Sequence, residues 1–87
     1  MQAKTLNLTR GETVKVKSQW AAETKKRDTT VSSSAWETTA GTLSGATLVT
    51  PLATVTLAEG GCGALKNTVT LANGEVLVRW WKIEIKD

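Results

Sequence analysis

The last third of the chain alternates between apolar and polar side chains on both sides of Asn73-Gly74. In 65–71 the odd-numbered positions are Leu, Asn, Val and Leu, and 75–85 has strand-forming residues at nearly every position. Alternation with a period of two predicts strands. Asn-Gly between two such runs favours a type I′ turn, because both residues tolerate positive φ. The pattern therefore predicts a long β-hairpin.

Shorter stretches of the same kind precede the hairpin. They predict strands at 4–8, 12–20, 30–36 and 52–58, and one or two short strands around 43–48. Pro51 and the glycine-rich residues 59–63 mark breaks between them. Six or seven short strands with turn residues about every 8 to 12 positions predict an all-β, antiparallel β-sandwich in one domain, 1–87.

The strand at 12–20 has two unlike faces. Val14, Val16, Ser18 and Trp20 share one face, and Lys15 and Lys17 lie on the other. This predicts a half-buried strand with a basic outer face.

The polar residues 21–29 follow this strand and include Lys25, Lys26 and Arg27. They show no apolar face at either period, so they predict an exposed basic loop, with a brief helical turn over 21–26 as the alternative.

The composition limits the chemistry of the chain. Its 87 residues include four Trp, no Phe, no Tyr, no His and the single Cys62. One cysteine excludes an internal disulfide, and the absence of His excludes a Cys/His zinc site and an imidazole base. No apolar run approaches the roughly 18 to 20 residues that span a bilayer. We expect a soluble protein of a reducing compartment that does not bind a membrane.

Charge is distributed unevenly along the chain. Residues 1–27 carry seven basic and two acidic side chains, whereas residues 28–87 carry four basic and six acidic ones. This asymmetry favours head-to-tail packing of identical subunits or docking on an acidic protein surface. Nucleic acid is a less favoured partner, because no recognition helix or aromatic pair accompanies Lys25, Lys26 and Arg27.

No residues predict catalysis, a cofactor or a metal. The glycine-rich segment 60–63 lacks the Lys-Ser/Thr and the helix of a phosphate-binding loop, so a turn between strands is the preferred interpretation. Cys62 has no basic neighbour that would activate its thiol, and we assign it no role. We expect that the protein is not an enzyme.

The adjacent Trp80 and Trp81 must point to opposite faces of their strand. If Trp81 turns inward with Ile83 and Ile85, an outer stripe remains that consists of Val76, Val78 and Trp80. Exposed apolar residues in a row predict a contact surface. The alternative is that a loop or the lysine side chains of the basic strand cover Trp80.

Several short motifs resemble the small virion proteins of tailed bacteriophages that are called fibre-tail adaptors. The motifs are Ser34-Ala35-Trp36, 40–43 (AGTL), 55–61 (VTLAEGG), 65–70 (LKNTVT) and Asn73-Gly74. They extend over roughly 30–85, although Leu65 stands where the family has an aromatic residue. The resemblance implies an immunoglobulin-like sandwich that assembles in rings at the neck or tail and has no catalytic residues.

The expected function is therefore structural. The protein would be made in the host cytoplasm and would become part of a virion. The protein would link tail or neck to fibres as a homo-oligomer that contacts other virion proteins. The predicted contact residues are Lys15, Lys17, Lys25, Lys26, Arg27, Val76, Val78 and Trp80. Alternatives are a capsid decoration protein and, in another class, a carbohydrate- or nucleic-acid-binding module that uses an exposed Trp.

Overall fold

Seven β-strands and one short helix occupy residues 4–86, the part of the chain that the computed structural model describes. The elements are β1 (Lys4–Thr9), β2 (Thr13–Gln19), α1 (Ala21–Lys26), β3 (Val31–Thr38), β4 (Thr42–Val49), β5 (Leu52–Ala58), β6 (Gly63–Leu71) and β7 (Val76–Lys86). Strands with clean alternation, such as β5 and β6, lie where the pattern predicts them. The region around 43–48 forms the single strand β4, with an irregularity between Ser44 and Thr47.

The strands form two packed sheets. One sheet has the order β1-β7-β6-β3 and the other has the order β2-β5-β4. This is the strand order of an immunoglobulin-like sandwich whose first strand has joined the sheet of the last strand. The predicted small sandwich of six to seven strands is confirmed.

One pair of strands departs from the otherwise antiparallel arrangement. β1 runs parallel to β7, with Leu6 beside Ile83 and Leu8 beside Ile85. The turn at Arg10-Gly11 carries the chain from β1 in one sheet to β2 in the other. β1 can therefore lie beside the last strand, where it places Leu8 in the core.

The core fills the space between the sheets with aliphatic side chains and indoles. Its larger cluster contains Leu8, Val16, Val55, Leu57, Leu65, Trp81 and Ile83, and a smaller one contains Trp20, Val31, Val69 and Leu71. Trp36 stacks on Trp81 with the ring centroids 5.5 Å apart. Trp81 and Ile83 turn inward as predicted, and Ile85 is half-buried beside them.

The predicted closing hairpin is confirmed, but its turn is different. Gly74 has a φ of +94°, whereas Asn73 does not have a positive φ. The Gly74 N–H donates to the Leu71 carbonyl, and the Leu71 N–H donates to the Glu75 carbonyl. This is a three-residue loop with a glycine bulge rather than a type I′ turn, so only Gly74 requires the left-handed conformation.

The segment at 21–29 differs from the predicted loop over its first six residues, where α1 forms. The backbone N–H of Thr24 donates to the Trp20 carbonyl, and Thr24 is buried. Glu23 lies in the first turn, and Lys25 and Lys26 lie in the last turn, which suits the helix dipole. The alternative of a brief helical turn over 21–26 is the correct one.

Candidate functional site

The outer face of the four-stranded sheet carries an exposed apolar stripe. Val76, Val78 and Trp80 on β7 are 57%, 39% and 47% exposed. They alternate with residues that point into the sandwich, which explains why three large apolar side chains remain outside the core. The lysines of the basic strand β2 belong to the other sheet and do not cover Trp80, which remains 47% exposed. We refer to this side of the molecule, around the three residues, as the apolar face.

A shallow depression borders Trp80. It has a volume of about 80 Å³ and is lined by Glu37, Thr38, Thr39, Ala64, Lys66 and Trp80. The Lys66 ammonium lies 5.3 Å from the Trp80 ring centroid and 3.3 Å from a carboxylate oxygen of Glu37. Pockets for small molecules usually measure roughly 300 to 1,000 Å³. This part of the apolar face therefore suits contact with a broad surface better than enclosure of a ligand.

The outer face of the three-stranded sheet is polar and basic. Lys15 and Lys17 point outward from β2, beside Thr56 and Thr54 of β5. The three strands contain no Asp or Glu, and most of their remaining outward positions carry Thr, Ser or Gln. We call this surface the lysine face. It presents ammonium and hydroxyl groups, which are donors for carboxylate or phosphate oxygens.

The predicted basic segment divides into two parts with different surroundings. Lys25 and Lys26 are exposed in the last turn of α1. Arg27 is half-buried, and its guanidinium pairs with Glu75 at 3.2 Å and donates to the Glu23 carbonyl at 3.3 Å. Arg27 thus ties the end of α1 to the β6–β7 loop, whereas the two lysines project from the surface.

The predicted contact residues consequently do not form one site. Val76, Val78 and Trp80 lie together on the apolar face, whereas Lys15 and Lys17 lie on the opposite side of the sandwich. Lys25 and Lys26 lie beyond the end of β2. The molecule has two separate broad surfaces, one apolar and one basic.

Most carboxylates in residues 4–86 are engaged within the molecule. Ion pairs join Glu37 to Lys66, Glu84 to Lys82, Glu75 to Arg27 and Glu23 to Arg79. Both carboxylate oxygens of Glu59 accept backbone N–H groups, from Gly11 and Gly61. Within these residues, no carboxylate pairs with Lys15 or Lys17. The positive charge of the lysine face is therefore not neutralised by a carboxylate of residues 4–86.

The sequence pattern did not predict a half-buried polar network that centres on Arg79. The Arg79 guanidinium stacks 4.0 Å from the Trp20 ring centroid and donates to the Ser18 hydroxyl and the Gln19 carbonyl, both at 3.0 Å. It also lies 3.5 Å from Glu23 of α1. The alternation of β7 contained the necessary information, because Arg79 shares its face with the inward Trp81. The network attaches α1 to the sandwich.

Two classes of site find no support in the described part of the chain. Within residues 4–86, no three or more His, Cys, Asp and Glu side chains come together in a way that could hold a metal ion. In the same residues, no helix has the length and apolar character needed to cross a membrane. Cys62 is exposed on the loop between β5 and β6.

The fold and its surfaces define an immunoglobulin-like β-sandwich with two opposed faces of different chemistry. Comparison with known proteins finds no matching family model, no similar curated protein and no similar solved structure. The functional argument therefore depends on the faces themselves and on the motifs of the sequence.

Proposed function

We propose that this protein is a structural component of a tailed phage virion, an adaptor that links tail or neck to fibres. The motif resemblance motivates the phage assignment, and the immunoglobulin-like fold agrees with what that resemblance implies. The observation that carries the linking role is the separation of the predicted contact residues onto opposite faces. A linking protein must hold two neighbours at once, and opposed faces permit this without steric conflict.

Each face fits a different kind of neighbour. The lysine face, helped by Lys25 and Lys26, docks on an acidic protein surface, where charge complementarity speeds encounter and selects the partner. The apolar face supplies an anchor, because Trp is enriched among the residues that dominate binding energy. A capsid decoration protein could use the same two faces, and it would differ in its position on the particle.

The first experiment is mass spectrometry of purified particles, followed by antibody labelling in electron micrographs. We expect the protein in stoichiometric amounts, with label at the neck or tail. An abundant host cytoplasmic protein serves as the contamination standard. If the protein is no more abundant in particles than this standard, the virion role is wrong. Label spread over the capsid would favour the decoration alternative.

Charge reversal tests the use of the lysine face. Incorporation of a Lys15→Glu, Lys17→Glu double variant into particles should fall about tenfold or more, as expected for lost complementary charge. A matched double variant, Lys4→Glu with Lys86→Glu, changes the net charge equally at two exposed positions away from that face. Equal loss in both variants would show that net charge matters and that the lysine face does not.

A second candidate function rests on the surroundings of Trp80. Its exposed indole lies beside the Lys66–Glu37 ion pair, which places a stacking surface next to hydrogen-bonding groups. Such a combination can bind a sugar or an unpaired base. Titration with oligosaccharides and with single-stranded DNA should be followed by tryptophan fluorescence. A saturable shift with a micromolar midpoint that is lost in Trp80→Phe would count against a purely structural role.

A further inference from the structure

Beside the stripe, β6 and β3 contribute mostly small side chains to the apolar face. Trp80, Val78 and Val76 pair along the β6–β7 register with Lys66, Thr68 and Thr70. The next strand continues this surface with Ser33 and Ala35 opposite Thr70 and Thr68. Small side chains beside a raised stripe leave room for side chains of a facing sheet, which packs at about 10 Å.

Charge on the apolar face is balanced close to the stripe. Lys66 pairs with Glu37 at 3.3 Å, and Lys82 pairs with Glu84 at 3.1 Å. A two-fold axis brings each surface against itself, so a surface with excess charge of one sign repels its own copy. Lys86, at the end of β7, lies six residues beyond Trp80, about 20 Å along the strand. The stripe can therefore face its own copy without meeting like charge, whereas the lysine face cannot.

The strand edges are poorly suited to self-association. β2 presents Lys15 and Lys17, and β1 has only six residues. The other two edge strands, β3 and β4, have irregular register at Val31/Ser33 and Ser44/Thr47. Charges, short length and bulges all oppose edge-to-edge pairing. A broad face is the remaining route.

The broad face is large enough for a stable interface. The molecule measures 43 × 26 × 17 Å, so its largest face offers at most about 1,100 Å². A standard interface needs about 800 Å² from each partner. Chains of this size bury only about 60% of their unfolded surface, so covering a further apolar stripe adds substantially to stability.

We infer that the apolar face binds the apolar face of a second copy in a two-fold dimer. Trp80 and Val78 form the centre of the interface, and the two ion pairs lie toward its margin. The lysine faces of both copies then point outward, on opposite sides of the dimer. This inference rests on the proposed function only in naming the neighbour of the apolar face: that neighbour is a second copy, and the two outward lysine faces of the dimer hold the acidic neighbours that it links.

Sedimentation equilibrium of the purified chain over a wide concentration range tests the pairing. We expect a transition to twice the 9.3 kDa chain mass. Val78→Lys and, separately, Trp80→Lys should each raise the dissociation constant more than tenfold, while circular dichroism confirms that both variants fold. The Lys15→Glu, Lys17→Glu variant is the control and should dimerise like the wild type.

Two results of the sedimentation experiments would overturn the inference. One is a monomeric wild-type protein at about 1 mM, where even weak complexes form. The other is association that neither apolar-face variant weakens. Acrylamide quenching of tryptophan fluorescence tests the pairing without any variant. In the wild type, quenching should decrease as protein concentration rises, because pairing covers Trp80. Unchanged quenching across the transition would also contradict the inference. Dimerisation of a protein that is absent from particles would reject only the virion role.

Discussion

The indole N–H of Trp20 donates a 2.9 Å hydrogen bond to the side-chain oxygen of Asn67 and so joins the two sheets through the interior. Trp20 follows the last residue of β2, and Asn67 lies in the middle of β6. Asn67 is completely buried, and its amide group donates to the Ser34 hydroxyl at 2.9 Å and the Ala35 carbonyl at 3.1 Å. A buried amide is tolerated only when its groups are satisfied in this way.

Substitution of Asn67 should destabilise the sandwich strongly. Asn67→Ala leaves the Trp20 N–H without its acceptor and creates a cavity, so we expect a loss of about 3 kcal/mol in the free energy of unfolding. Urea denaturation followed by circular dichroism measures this loss of stability. Asn7→Ala, at an exposed position of β1, should change stability by less than about 0.5 kcal/mol. Similar losses in both variants would contradict the assigned role of Asn67.

Arg79 should contribute to the free energy of unfolding although it is charged. Arg79→Ala removes the stacking on Trp20 and the bonds to Ser18 and Gln19, and we expect a loss of about 2 kcal/mol. Arg79→Lys should recover only part of it, because an ammonium cannot stack and bond as the planar guanidinium does. Hydrogen exchange in α1 should become faster in both variants.

Lys82 provides the matched control for Arg79, because it lies on the same strand and points outward. Lys82→Ala should leave stability within about 0.5 kcal/mol of the wild type and exchange in α1 unchanged. If Arg79→Lys proved as stable as the wild type, charge alone would account for the effect.

Two glycines with nearly the same backbone conformation should differ in their tolerance of alanine. Gly41 and Gly11 have φ values of +89° and +85°. A Cβ at Gly41 would collide with the Ala58 carbonyl oxygen, whereas a Cβ at Gly11 would meet nothing within 4 Å. We expect Gly11→Ala to cost about 1 kcal/mol, from the left-handed conformation alone, and Gly41→Ala to cost at least twice as much. Thermal unfolding of both variants measures the difference, and equal costs would contradict the close packing at Gly41.

Trp80 should dominate the quenching of tryptophan fluorescence in the monomer. Trp20 and Trp81 are only 3% and 5% exposed, and Trp36 stacks on Trp81. Trp80→Phe should therefore remove most of the fluorescence that iodide quenches at low protein concentration, whereas Trp36→Phe should leave the quenched component in place. The reverse result would mean that the apolar face is covered in solution.

The sequence predicted those parts of the fold whose alternation is regular. β5 and the β6–β7 hairpin follow from it, and so does the outward position of Trp80, because a period of two fixes which residues share a face. For 21–26 the sequence favoured a loop over the helix α1. The reason is that α1 buries only Thr24, so its apolar residues show no helical period. The parallel partner of β1 could not be deduced either, since six alternating residues do not specify which edge they join.

The candidate surfaces were predicted residue by residue but not in their arrangement. The sequence does not say which sheet β2 or β7 joins. The lysines and the apolar stripe lie on opposite faces only because these two strands belong to different sheets. Arg79 was missed for another reason, because a charged side chain on a strand is ordinarily assigned to solvent. Its inward position follows from Trp20, which offers a ring face for the guanidinium.

The parallel pairing of β1 with β7 also determines how the molecule responds to mechanical load. The strands run in the same direction over six register pairs, from Lys4 beside Trp81 to Thr9 beside Lys86. A pull applied at Lys4 and Lys86 acts at opposite ends of this ladder, so it shears all of its hydrogen bonds together instead of opening them one after another. We expect this parallel pair to resist extension along the chain better than an antiparallel pair that is pulled from one end.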